Sequence, residues 1–257
     1  MWQTLRTMTE ALSGCLGEAL AALYLYGSAA MDDFRPGWSD IDILCLLDAP
    51  PTEAQAASWV TLRQRLAAET GDLRYRSLEG AIVSLPEFLA GTYSRVVYWG
   101  TSGERITDRY DFDAFSRVGL IRYGKLLMGR EVRDQMLPPT MSELRAAVAR
   151  HLATIRQAAA QTGPSLYSCG WLLDISRCLY TLRTGDILPK TAAGAWALGE
   201  KLCPVEEDLT RALVVRREPS LYKDDPEIRN WLGGLGPAVQ RYADVLEEAL
   251  ADTTRKG

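Results

Sequence analysis

Leu25-Tyr26-Gly27-Ser28, followed after a short spacer by Ser39-Asp40-Ile41-Asp42-Ile43-Leu44, decides how this chain is read. Two carboxylates one residue apart open an otherwise apolar run that continues to Leu47. Side chains alternate faces along a β-strand, so Asp40 and Asp42 point the same way while Ile41 and Ile43 point into a core. Like charges held side by side on a half-buried strand repel each other and resist losing water. A divalent cation removes both difficulties. Magnesium fits best, because it takes oxygen ligands, keeps waters, and is held by one or two carboxylates plus substrate phosphates.

The Gly-Ser half supplies the phosphate side. Leu23 to Tyr26 reads as a short buried strand, and Gly27 permits a tight turn that a side chain would obstruct. Backbone N–H groups in such a turn, with the Ser28 hydroxyl, can face phosphate oxygens. The third carboxylate is Glu79, in the strand-like run Ser77-Leu78-Glu79-Gly80-Ala81-Ile82-Val83. It would bind metal or take the proton of an attacking hydroxyl. Gly-Ser, a spacer, Asp-hydrophobic-Asp and a later strand acid resemble the nucleotidyltransferase superfamily of DNA polymerase β. That resemblance implies a nucleotide over Gly27, Ser28 and Ser39. It also implies two magnesium ions held by Asp40, Asp42 and Glu79, with Glu79 as the catalytic base.

The bulk composition narrows the partners. A chain of 257 residues can bury one large core or two modest ones. With 47% hydrophobic and 24% charged residues it is ordinary globular material. A net charge of −4 and no basic run argue against nucleic acid as partner, since phosphate-backbone binders carry a basic footprint. Five scattered cysteines, no CxxC pair and a lone His151 argue against a zinc site or a Ser-His-Asp triad. The cysteines read as reduced, mostly buried small hydrophobes, Glu10 and Glu18 interrupt any secretory pattern, and no apolar run reaches membrane-spanning length. These features predict a cytoplasmic protein with no membrane contact; oligomeric state is not legible.

Along the chain, Leu5, Met8, Leu12, Leu16 and Leu20 predict a helix over 3–20. A turn or short helix at 28–34 and a helix over 53–69, set among the strands, give a small mixed sheet with flanking helices. From 111 onward apolar positions recur at helical spacing. Helices are expected near 111–126, 141–161, 166–183, 189–201, 205–217 and 225–250, the last threatened by Gly233-Gly234 and Pro237. The fold class is therefore α+β, with a nucleotidyltransferase domain over 1–130 and an all-helical C-terminal domain over 131–257.

The second half resembles a narrower group. Arg177-Cys178-Leu179-Tyr180, then Thr184-Gly185-Asp186-Ile187-Leu188-Pro189-Lys190 and Ala195-Trp196-Ala197-Leu198, is similar to the helical domain of streptomycin/spectinomycin-type aminoglycoside adenylyltransferases. The resemblance implies that Arg177, Lys190 and Tyr222 face a triphosphate, that ATP is the co-substrate, and that AMP passes to a drug hydroxyl with release of pyrophosphate. Cations on the β and γ groups would draw negative charge toward that leaving group. The segment departs from the family where acids grip the cationic drug, near Gly163, Tyr167 and Gly170; Asp174, Glu104 and Asp108 are acids that could substitute. Tyr98-Trp99-Gly100 approximates the family's drug-contacting tryptophan, and Tyr167, Trp171, Tyr180 and Trp196 read either as acceptor wall or as helical core. Another antibiotic, a biosynthetic metabolite or a protein side chain stay open as acceptors, as does a non-catalytic nucleotide-binding module.

Overall fold

The computed structural model describes residues 2–100 and 103–255. In chain order its elements are α1 (Trp2–Leu16), β1 (Leu20–Tyr26), α2 (Gly27–Ala30), β2 (Ile41–Leu47), α3 (Glu53–Val60), α4 (Leu62–Thr70), β3 (Leu78–Ser84), α5 (Leu85–Ala90), β4 (Val96–Gly100), β5 (Gly103–Thr107), α6 (Ala114–Val118) and β6 (Lys125–Gly129). Helices follow: α7 (Met141–Ala159), α8 (Tyr167–Thr184), α9 (Lys190–Gly199), α10 (Glu206–Arg217), α11 (Pro219–Tyr222), α12 (Pro226–Gly233) and α13 (Gly236–Arg255). The chain divides into two compact units after Pro138, with Arg35–Ser39 grouped into the second. Among the described residues no helix is long and apolar enough to cross a membrane.

The first unit is built on a mixed sheet of order β5-β4-β3-β2-β1-β6, in which only β2 and β3 run parallel. Strands β1, β2 and β3 lie at its centre and are buried on both faces, which is why they read as near-continuous apolar runs. Alternation sorts their side chains. Leu23, Leu25, Ile41, Ile43 and Ile82 join Leu5, Met8 and Leu12 of α1 and Trp59 of α3 in one core. Tyr24, Tyr26, Leu44, Leu46, Ala81 and Val83 face the other way, with Leu120 and Met136. Thr52 begins α3 through a capping box with Gln55, so the expected helix over 53–69 starts where the sequence placed it, but it is interrupted at Thr61.

The expected helix over 111–126 does not form as such. Lys125–Gly129 forms β6, an edge strand paired antiparallel with β1, and the expected helix there is reduced to α6 and a following wide turn over Gly119–Tyr123. Only three apolar residues in a row mark β6, too few to show a period. Gly129 is required there because its φ is +84° and a β-carbon would strike the Ala21 carbonyl. The β4–β5 hairpin was likewise without a strand assignment in the sequence reading.

In the second unit, α8 is the central helix. It packs against α7, α9, α10 and α13 and buries residues around much of its circumference, from Ser168 to Leu182. Its buried Ser176 hydroxyl donates to the Leu172 carbonyl at 3.0 Å and meets the Tyr242 hydroxyl at 3.1 Å. Gly233-Gly234 does end the last predicted helix: α12 stops there and α13 resumes at Gly236, whose N–H donates to Thr162 Oγ1 at 3.2 Å.

Glu104, one of the acids considered for a cationic ligand, serves the first unit's core instead. The Arg63 Nε donates to its Oε1 at 2.8 Å, with the two side chains only 9% and 7% exposed, and Arg63 Nη1 also donates to the Leu78 carbonyl at 2.6 Å. Truncating one partner of such a pair strands the other charge. Arg63→Ala should therefore lower unfolding free energy by about 3 kcal/mol, seen as a lower urea midpoint with an unchanged denaturant slope.

Candidate active site

Register brings the two halves of the first-unit motif together. Asp42 pairs with Tyr26 on β1 and with Glu79 on β3, so the residue before Gly27, the aspartate and the glutamate are neighbours across three strands. By alternation Tyr26, Asp42 and Glu79 share one face of the sheet. Gly27 continues directly from β1 with φ +65°, and a β-carbon there would overlap the Asp42 carboxylate. The glycine is thus demanded by a close approach as well as by backbone conformation. Asp40 lies outside β2, one residue before its start, and both aspartates are half-buried. Ser28 is half-buried at the start of α2.

Hydroxyl groups surround these carboxylates. The Tyr98 hydroxyl on β4 donates to Glu79 Oε1 at 2.8 Å, and the Arg105 guanidinium of β5 covers the Tyr98 ring at 4.1 Å. Tyr26 and Tyr110 are hydrogen-bonded to each other. Burial, then Tyr110, Asp42 and Glu79, hold the Tyr26 phenol well above its ordinary pKa, and burial does the same for Tyr110. Both phenols stay neutral beside the acids. Phe112 packs edge-on to Tyr26, closing the aromatic floor. Nothing local in the sequence marks Tyr98 or Tyr110 as neighbours of these acids, because strand pairing and packing bring them there.

The metal-ligand chemistry fits in part. Among the described residues no three His, Cys, Asp or Glu side chains stand assembled as a cage. Asp42 and Glu79 nevertheless offer adjacent oxygen donors, with Asp40 two residues before Asp42 in the chain. One or two carboxylates completed by phosphate oxygens and water is the set magnesium accepts.

In the second unit a single carboxylate organises the basic residues. Asp174 of α8 accepts from Lys190 Nζ at 2.9 Å and pairs with Arg177 Nη1 at 3.3 Å. Burial alone would raise the Asp174 pKa; the Lys190 and Arg177 charges and His151 bring it below the usual carboxylate value. Arg216 of α10, 2% exposed, donates from Nε to Thr191 Oγ1 at 3.2 Å and stands 5.3 Å from the Trp38 ring centroid. Tyr222, at the end of α11, is half-buried and is not among the partners of Asp174. Ser39 falls in this unit too, in a turn where its hydroxyl accepts from the Arg35 N–H at 3.0 Å.

Residues 9–86 match the nucleotidyltransferase domain family, and residues 137–225 match the family described as aminoglycoside adenylyltransferase, C-terminal domain. The chain is a nucleotidyltransferase with an aminoglycoside adenylyltransferase C-terminal domain. Its fold is similar to that of spectinomycin adenyltransferase AAD(9) from Enterococcus faecialis, solved with ATP and spectinomycin. The likeness has a TM-score of 0.68 over 96% of this chain and 99% of that one, at 19% sequence identity.

Two sequence expectations for this nucleotidyltransferase are corrected. Trp99 is 1% exposed and donates from Nε1 to the Trp59 and Val60 carbonyls, each at 3.2 Å, so it is core and not a ligand wall. Asp174 is committed to two cations and so is no free acid for a cationic drug. Tyr180 and Trp196 stack edge to face at 5.2 Å with Arg183 beside the Trp196 ring, while Tyr167 is 58% exposed. Because the folded Asp174 pKa is depressed, its contribution to stability is complete above the unfolded carboxylate pKa and is lost as pH falls through the folded value. Asp174→Asn should therefore melt lower than the parent at pH 7, with the gap closing in strong acid. Thermal melts across pH 2–8 (about the carboxylate range and above) test this.

Proposed function

We propose that this nucleotidyltransferase moves AMP from ATP to a hydroxyl of a small molecule and releases pyrophosphate. The observation that carries the reading is the register of Tyr26, Asp42 and Glu79 with the side-chain-free Gly27 against Asp42. Gly27, Ser28 and Ser39 would meet the nucleotide, and Arg177, Lys190 and Tyr222 would contact its phosphates. Asp40, Asp42 and Glu79 would hold magnesium. When bound, that metal lowers the pKa of the acceptor hydroxyl and neutralises charge on the transferring group.

In the step itself the acceptor oxygen forms a bond to the α-phosphorus while the bond to the pyrophosphate oxygen breaks. The hydroxyl proton passes to Glu79. Tyr98 donates to Oε1 of that carboxylate, which leaves Oε2 to take the proton. Lys190 and Arg177, already held by Asp174, would favour departure of the polyanion without first being ordered.

An aminoglycoside of the streptomycin/spectinomycin type is the acceptor that the family resemblance suggests. A polycation needs anionic partners, and Glu104 and Asp174 are committed to Arg63, Lys190 and Arg177. We therefore state the acceptor only as a hydroxylated small molecule at this level. Calorimetry with ATP should show binding that requires magnesium, and Asp42→Asn should lose it and any pyrophosphate release while melting like the parent. Retained magnesium-dependent binding in that variant would refute the ligand assignment. Gly27→Ala should displace the Asp42 carboxylate and cut turnover by about 100-fold, measured as pyrophosphate release with a panel of aminoglycosides, lincosamides and hydroxylated metabolites.

A further inference from the structure

Glu79 stands between two different neighbours on its sheet. On β2 the paired residue is Asp42, a second carboxylate, and like charges directly opposite push apart. On the other side lies β4, where Tyr98 pairs with Ala81, two residues beyond Glu79 and on the same face. Tyr98 and Glu79 are therefore diagonal neighbours, with backbone positions about 7–8 Å apart. Only a long or aromatic side chain leaning along its strand closes such a span. The Tyr98 hydroxyl does so, donating to Glu79 Oε1 at 2.8 Å.

Gly100, two residues along the same face of β4, leaves the space that the ring occupies. A β-carbon there would overlap the Tyr98 hydroxyl and stand 2.6 Å from Cζ and 2.7 Å from Cε1. Those three ring atoms are the nearest to it, and the Gly100 backbone lies outside the left-handed region. Close approach of the phenol, and not backbone conformation, is what asks for glycine here. Arg105, paired with Tyr98 across β5, covers the ring at 4.1 Å. The glycine seat and the guanidinium together constrain where the hydroxyl stands.

We propose that Tyr98, seated over Gly100, is the positioning residue for Glu79 in the transfer reaction. Its hydroxyl holds the carboxylate on the β4 side, away from Asp42, and ties down Oε1, so that Oε2 alone is presented to the acceptor proton. This inference rests on the reading of Glu79 as the base given above. An untied carboxylate would turn and offer its oxygens in succession, and a misplacement of about 1 Å costs a reaction about 100-fold. The nucleotide contacts proposed above do not include Tyr98, so loss of its hydroxyl falls on kcat and spares KM for ATP.

Tyr98→Phe keeps the ring and removes the hydroxyl, and a thermal melt checks that it folds like the parent. Pyrophosphate release is followed on the full chain with ATP, magnesium and the acceptor of the panel above that the parent turns over fastest. Tyr98→Phe should lose about tenfold to 100-fold in kcat with KM for ATP unchanged. Gly100→Ala should push the hydroxyl off Glu79 and match that loss, and the double variant should lose no more than either single one, because both remove the same contact. A crystal structure of Tyr98→Phe, which needs no acceptor, should show the Glu79 carboxylate turned from its parental position. Parental kcat in Tyr98→Phe, a loss carried by KM, losses that multiply in the double variant, or an unmoved Glu79 carboxylate would overturn the proposal. Glu79→Gln keeps the two readings apart. If it is inactive while Tyr98→Phe works at the parental rate, only the positioning role fails; if it turns over normally, Glu79 is not the base and both fall. Should the parent release no pyrophosphate with any acceptor, the transfer reading fails, and the crystal structure decides by itself whether Tyr98 places Glu79.

Discussion

The first unit depends on one close approach: the backbone of Gly27 lies where any β-carbon would collide with the Asp42 carboxylate. The central strands are buried on both faces, so a charged group can enter them only at a strand end, where solvent or a ligand reaches it. Asp42 occupies such an end, one residue into β2 and opposite the last residue of β1. Parallel pairing of β2 with β3 then sets Glu79 beside it without further adjustment. A change in any of these registers by one residue would send a carboxylate into the opposite core.

Charge with little access to solvent is managed differently around Arg63, Asp174 and Glu79. Arg63 and Glu104 form a closed pair whose remaining donors reach backbone carbonyls, a structural use with no group left over. Asp174 pairs with two cations at once, Lys190 and Arg177, which holds both side chains in place. Arg216 donates to Thr191, the residue after Lys190. Glu79 instead accepts from the Tyr98 hydroxyl, a neutral donor, and has Asp42 beside it in register.

These arrangements bear on substrate class. Glu104 and Asp174, two of the acids a polycation could use, are held by Arg63, Lys190 and Arg177. The matches to a nucleotidyltransferase domain and to an aminoglycoside adenylyltransferase C-terminal domain bear on the class of reaction more directly than on the acceptor. Chemistry at phosphate is constrained by a few residues in register, whereas acceptor choice rests on cavity walls that can change one side chain at a time.

The sequence by itself determined the motif, the strand that carries it and the helical second half. Those rest on local rules: alternation around Asp42, a glycine turn after Tyr26, and apolar spacing along α7, α8 and α13. Tertiary structure alone decided which side chains meet. β6 and the β4–β5 hairpin exist because neighbouring strands complete their hydrogen bonds, and so Tyr98 on Glu79 was invisible beforehand. Asp174 reads from the sequence as an acid that could meet a cationic ligand, and only packing, by which α9 delivers Lys190 to it, commits it otherwise. Contacts between residues far apart in the chain depend on packing and pairing that no local periodicity encodes.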